Sequence, residues 1–351
     1  MAVQQLSGIE MACVVDPLAD PRWAKLTRTA QNATIFHDPL WLSLVRDCYR
    51  YPMSAVCLTD SDGELAAGLP IATVRSPFTG TRLVSVPFSD ISGPVLASPE
   101  LEEPLLAAVA AERSRLNLRL EVHAEVPLLA HSAPSEQFFH HVVTIDSDFD
   151  SLTRARVKSS KRRCAAKARK LGVSATQRRD AAAIDAFFGL HVLTRRRLGV
   201  PTQPKRLFSG LLPIFEHDRG FVLLIEWEGQ PIGAGVYLRH GSTLTYKYGA
   251  SDPKHLDKRP NDLLQLEALR IACELGCTKL DLGRTELDND GLRRFKRDFG
   301  AEERVLTYTM SPPPVKQKSV RSVSRTQQAL IQRMPPSFGR LVGAAVYRHF
   351  G

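Results

Sequence analysis

At 351 residues, 43% hydrophobic and 24% charged, the chain has the composition of a soluble globular protein with enough length for two ordinary domains. No run reaches the ~18–20 apolar residues of a spanning helix, and residues 1–10 lack the basic-then-apolar pattern of a signal peptide, so a cytoplasmic protein is expected. The net charge of +10 favours anionic partners such as nucleotide phosphates, a CoA tail, tRNA or an anionic membrane surface.

In chain order, Asp38 reads as an N-cap and Pro39 as the first residue of a helix, whose buried stripe is Leu40, Trp41, Leu44, Val45 and Cys48. Residues 52–58 and 64–74 read as strands about an Asp62-Gly63 turn, and 82–86 as a third strand running into Phe88-Ser89-Asp90. A helix over 102–114, with Leu105, Leu106 and Val109 facing inward, and a strand over 117–122 complete this half.

Residues 154–171 hold nine Lys or Arg on all faces and read as a basic connecting helix, either a solvated spacer or a contact for tRNA, a nucleotide-linked sugar or a membrane surface. The second half repeats the first. A helix over 181–198 precedes a hairpin, 220–227 and 231–239, and a third strand, 242–249, which runs into Ala250-Ser251-Asp252. Pro260-Asn261 opens a helix closed by Gly276, and 278–282 is the next strand. Residues 288–300 read as a short helix with Leu292, Phe295 and Phe299 inward and the neighbouring arginines turned away, and with Lys296 either turned away too or at the border of the apolar stripe, where a cation could face a cleft. Such a repeat argues for two copies of one α+β unit. The division expected is 1–150, 151–178 for the connecting helix, 179–312, and 313–351 for a tail. That tail reads as a docked helix or, alternatively, an interfacial membrane contact.

The chain has no G-x-S-x-G elbow, Walker A loop, H-E-x-x-H pair or strand-following G-x-G-x-x-G, which leaves hydrolase, ATPase and dehydrogenase readings without support. Most of the six cysteines read as core hydrophobes; Cys273 and Cys277 lack the neighbours that would finish a metal set. Chemistry-bearing candidates gather between Tyr246 and Phe299. Lys258, Arg259, Asn261 and Asp262 mark a helix start suited to phosphate; Asp281 and Arg284 flank Gly283 at a strand end, as a ligand site or as a mutual ion pair. Arg195 and Arg196 end a helix, where they suit either its dipole or an anionic substrate.

Together, Thr194-Arg195-Arg196 with Gly199 and Pro201, Tyr248-Gly249-Ala250, Arg259-Pro260-Asn261, Asp281-Leu282-Gly283-Arg284 and Phe295-Lys296 with Phe299-Gly300 resemble the GNAT/FemAB-related proteins of exopolysaccharide and PEP-CTERM/exosortase loci. Phe36-His37, Trp41, Pro87-Phe88-Ser89-Asp90 and Gly93-Pro94 fit the same group. The resemblance implies two tandem GNAT-like domains of α+β class. It implies transfer of an acyl group from acyl-CoA, or an aminoacyl group from tRNA, to an amine or hydroxyl of a nucleotide- or lipid-linked sugar or peptide precursor, with contact at the inner membrane as a further possibility. Lys296 then lies near the transfer site, Asp281 orients or accepts a proton, and Arg195, Arg196, Tyr248, Arg284 and Asp90 bind substrate. Lys258, Arg259, Asn261 and Asp262 hold the CoA phosphates, without a metal. Lys296→Ala is expected to abolish transfer with little loss of stability. A degenerate, non-catalytic scaffold is the competing class.

Overall fold

The computed structural model describes residues 9–77, 79–313, 331–332, 343 and 347–349. The chain forms two compact units: one runs to Gln137 and regains the chain from Leu306, and the other holds Phe138–Val305.

In the first unit, strand β1 (Ile9–Val15) and helices α1 (Pro21–Thr29) and α2 (Pro39–Tyr49) precede β2 (Met53–Asp60), β3 (Leu65–Ser76), β4 (Gly80–Val84) and the short β5 (Val95–Leu96). Helix α3 (Glu102–Leu116), β6 (Arg119–Val122) and the start of β7 (Ala133–Thr144) follow. Asp38 caps α2 by accepting from the Leu40 N–H, with Pro39 at the first turn, as its sequence dictates. β2, β3 and β4 are antiparallel neighbours, while β4 and β6 pair in parallel. The crossover α3 buries Leu105, Leu106 and Val109 against Val56, Leu69 and Leu120.

The second unit repeats that order. Helices α4 (Phe149–Arg156) and α5 (Ser159–Lys170), strand β8 (Ser174–Arg178), α6 (Ala181–Leu198) and the short α7 (Lys205–Ser209) and α8 (Leu212–Glu216) lead into β9 (Gly220–Trp227), β10 (Gln230–His240) and β11 (Thr243–Ser251). Then come α9 (Pro260–Glu274), β12 (Lys279–Glu286), α10 (Asp290–Asp298) and β13 (Glu302–Ser311), which from Leu306 onward belongs to the first unit. The strands lie in the order β7-β12-β11-β10-β9-β8, with β11 and β12 parallel and the other neighbours antiparallel. Gly276, past the end of α9, sits at φ +65° as a left-handed cap requires.

No single connecting helix forms over 154–171. The chain breaks at Val157–Lys158, and α5 then packs Ala165 and Ala168 into the unit's core. Its charge is not uniformly solvated either: Lys161 pairs with Asp262 at 2.9 Å and Lys158 with Asp298 at 3.2 Å, and Arg169 pairs with Glu267. Arg163, Lys167 and Lys170 remain on the exposed face. The helical tail expected near the C-terminus lies mostly outside the described residues. Among the described residues no helix is long and apolar enough to cross a membrane.

Candidate acyl-donor cleft

The parallel strands β11 and β12 stay together for three pairs only, Thr243–Thr245 against Lys279–Asp281. Beyond that point β11 continues along β10, while β12 continues along β7. Two bulges accompany the parting. On β11 the register jumps between Val236↔Tyr248 and Tyr237↔Tyr246, so Lys247 is the extra residue. On β12 it jumps between Asp281 and Arg284, where Gly283 takes φ +70°, a conformation that favours glycine.

A cavity of about 190 Å³ lies here. Tyr246, Gly249, Ala250, Ser251 and Leu282 line it from the strands, Asn261 and Gln265 from α9, Leu292, Phe295 and Lys296 from α10, and Thr194 and Arg197 from α6. The Lys247 bulge decides which tyrosine lines the cavity. It shifts the alternation so that Tyr246 and Gly249 share a face, whereas Tyr248 packs edge-on to Phe208 (5.2 Å) and beside His191 (6.2 Å). Gly249 is required for this: a Cβ there would lie 1.5 Å from the Tyr246 hydroxyl. Burial of that hydroxyl pushes its pKa up to about 12, so it is a neutral phenol at physiological pH.

Lys296 is not turned away. It is the buried residue of α10, 4% exposed, while Leu292 is 38% exposed. Its ammonium donates to the Gly283 and Arg284 carbonyls, each at 3.0 Å, which ties α10 to the β12 bulge. Its removal takes donors from two backbone carbonyls, so Lys296→Ala is expected to cost stability, unlike the sequence-based expectation.

Asp281 does not line the cavity. Its Oδ1 accepts from the Gly283 N–H at 2.7 Å and lies 2.8 Å from His140 Nε2, so it stabilises the bulge. Of the two readings of this pair, the mutual Asp281–Arg284 ion pair is replaced by this histidine, and the Arg284 guanidinium stacks on Phe138 at 4.3 Å.

Helix α9 starts differently from the reading of Asn261 as its cap. Arg259, at φ +60°, occupies the cap position without a side-chain cap bond, Pro260 follows, and Asn261 lies in the first turn with Nδ2 3.5 Å from Ser251 Oγ. Arg259 is exposed, Lys258 sits 4.5 Å over the Trp227 ring, and Asp262 is buried against Lys161. Arg195 donates to the Pro201 carbonyl at 3.0 Å and bonds Tyr347, and Arg196 donates to the Gln332 carbonyl at 3.1 Å. Of the arginine run it is Arg197, with Thr194 one turn before it, that reaches the cavity. Asp90 belongs to the first unit, where its carbonyl accepts from Tyr308 at 2.8 Å. Cys48, Cys57 and Cys277 are buried as expected of core hydrophobes. Among the described residues no three His, Cys, Asp or Glu side chains cluster as a metal set needs.

Buried histidines are expected to make this unit's fold acid-sensitive. Burial, with Arg195 beside it, lowers the His191 pKa to about 3; burial and then Lys296 lower that of His141, which lies 2.9 Å from Glu303. The Arg293 hydrogen bond holds Glu303 down at about 2. A folded-state histidine pKa below the unfolded ~6.5 means the unfolded chain takes up the proton first. Stability is then full above that value and falls with acid by about 1.4 kcal/mol per pH unit for each such histidine. Glu303 adds a second loss between about 4.5 and 2. Thermal unfolding at constant ionic strength is expected to show Tm dropping from pH 7 to pH 5; a flat profile over that range would contradict these buried neutral imidazoles.

Residues 153–297 match the acetyltransferase (GNAT) domain family. No curated protein matches the chain by sequence. Among solved structures, FemX superposes with a TM-score of 0.68 at 14% identity, covering 86% of this chain and 97% of FemX. L-PGS from Bacillus licheniformis gives 0.57 at 13%, covering 94% and 98%. A tandem GNAT protein from the clavulanic acid biosynthesis pathway gives 0.53 at 12%, covering 87% and 100%. At such identities the structural likeness establishes the fold. Residues 153–297 thus resemble the GNAT acetyltransferase domain, and the chain shares the fold of FemX and the tandem GNAT protein.

Proposed function

We propose that the chain transfers an acyl group from acyl-CoA to an amine or hydroxyl of a cell-envelope or exopolysaccharide precursor, a nucleotide- or lipid-linked sugar or peptide. The observation that carries this reading is the parting of β11 and β12, with the start of α9 beside it and Lys296 in the wall of the cavity. Where two paired strands separate, the edges they turn to each other have backbone N–H and C=O groups able to pair with an extended, amide-containing arm. The first N–H groups of α9, with Lys258 and Arg259 beside them, suit the phosphates at the end of such an arm. The acceptor N–H or O–H attacks the thioester carbonyl, the new C–N or C–O bond forms as the C–S bond breaks, and the displaced proton ends on the CoA thiol. Lys296 stabilises the charge that builds on the carbonyl oxygen. Asp281 acts through the Gly283 bulge that positions Lys296, and Arg197 together with Arg284 favours an anionic acceptor.

A second donor, aminoacyl-tRNA, is supported by the exposed Arg163, Lys167 and Lys170 on α5. Calorimetry separates the two. One-site binding of acetyl-CoA and of a longer acyl-CoA, weakened in the Lys258→Ala/Arg259→Ala double variant and at higher salt, is expected. Absence of binding to either thioester would remove the CoA reading and leave charged tRNA as the donor to assay, with the scaffold reading behind it.

A further inference from the structure

Gln265 has an unusual position in the cavity wall. It is 3% exposed, lines the cavity, and its Oε1 has no hydrogen-bond partner among the described residues. Tyr246 lines the same cavity. A buried carbonyl oxygen left unmatched costs stability, and proteins retain such groups chiefly where something else completes them. Leu282, Leu292 and Phe295 surround the cavity with apolar surface. Asn261 and Gln265 lie four residues apart on α9, on one face and about 6 Å apart along the axis. A molecule entering at the start of α9 meets Asn261 first and Gln265 one turn deeper, beside the first residues past the strand separation, Tyr246 and Leu282.

We propose that Gln265 is a specificity-determining residue whose Oε1 accepts a neutral amide N–H from the acyl donor lodged between β11 and β12; this rests on the donor-cleft reading above. Neutral donors fit best because Lys296 and Arg197 already bring two cations to the same wall, where an ammonium would be repelled. Two sources of that N–H share this chemistry: an amide of the carrier arm, or an amide within the transferred group.

The test compares the whole chain with its Gln265→Met variant, similar in length but without the acceptor, using CoA, acetyl-CoA and N-acetylglycyl-CoA in calorimetry and thermal unfolding of each protein without ligand. Affinity is expected to fall about five- to tenfold in the variant, while the Tm of the unliganded variant holds or rises because the unmatched oxygen is gone. Equal losses for all three ligands assign the N–H to the carrier arm, and a loss confined to N-acetylglycyl-CoA assigns it to the acyl group; either supports the proposal. Wild-type affinities in the variant, with or without a lowered Tm, overturn it and leave the donor cleft standing. Failure of the wild-type chain to bind any of the three removes the donor cleft and this inference with it.

Discussion

Replacing Lys296 by methionine is expected to cut transfer by about 10²–10³-fold, the scale of losing one preorganised donor to a developing oxyanion. The same change is expected to destabilise the fold by about 2–4 kcal/mol, because the Gly283 and Arg284 carbonyls that share this ammonium lose their donor inside the protein. The two effects separate in the assay. Turnover measured well below the variant's Tm reports the electrostatic role, and urea unfolding reports the structural one. Lys296→Arg retains the charge on a longer, planar group that does not fit the two carbonyls in the same way, so partial recovery of turnover with poor recovery of stability is expected. Near-wild-type turnover in Lys296→Met would end the assignment of Lys296 to the reaction.

Gly249→Ala is expected to have the larger effect on donor binding. The added Cβ would lie 1.5 Å from the Tyr246 hydroxyl oxygen and 2.6 Å from the ring carbon that carries it, so the ring must leave its place on β11. The cost is steric, about 1–3 kcal/mol on the scale of overpacked interiors. With Tyr246 displaced, the cavity loses part of its wall. A double-mutant cycle checks the cause: Gly249→Ala combined with Tyr246→Ala is expected to be less destabilised than the sum of the single changes, because the clash is removed once. Strict additivity, or unchanged donor affinity in Gly249→Ala alone, would show that Tyr246 does not depend on the bare backbone at 249.

Much of this arrangement was legible in local chemistry. Asp38-Pro39 places the start of α2, the stripe of Leu105, Leu106 and Val109 places the buried face of α3, and Gly276 marks the end of α9. Helix α6 and strand β9 also run over the expected residues, 181–198 and 220–227. Strand β8 was not legible: Ser-Ala-Thr-Gln-Arg at an exposed edge has no apolar alternation, and its pairing with β9 comes from tertiary contact.

The site was harder to read for reasons that differ by residue. Tyr248 follows Thr245, Tyr246 and Lys247 in what looks like an unbroken strand, and only the bulge at Lys247 turns Tyr246 to the cavity. Nothing near Asp281 announces His140, which comes from β7, 141 residues earlier in the chain. Lys296 did carry a signal. Leu292, Lys296 and Phe299 are spaced i, i+4 and i+7, so a lysine falls on the same helical line as two apolar residues, a placement that can bury a cation. Its carbonyl partners come from the β12 bulge, so their identity needed the fold.

Hydrogen exchange with and without acetyl-CoA locates the donor most directly. Protection concentrated at residues 246–251, 261–265 and 282–284 is the expected result. Saturating acetyl-CoA that leaves those amides exchanging as in the free protein would contradict a donor cleft between β11 and β12.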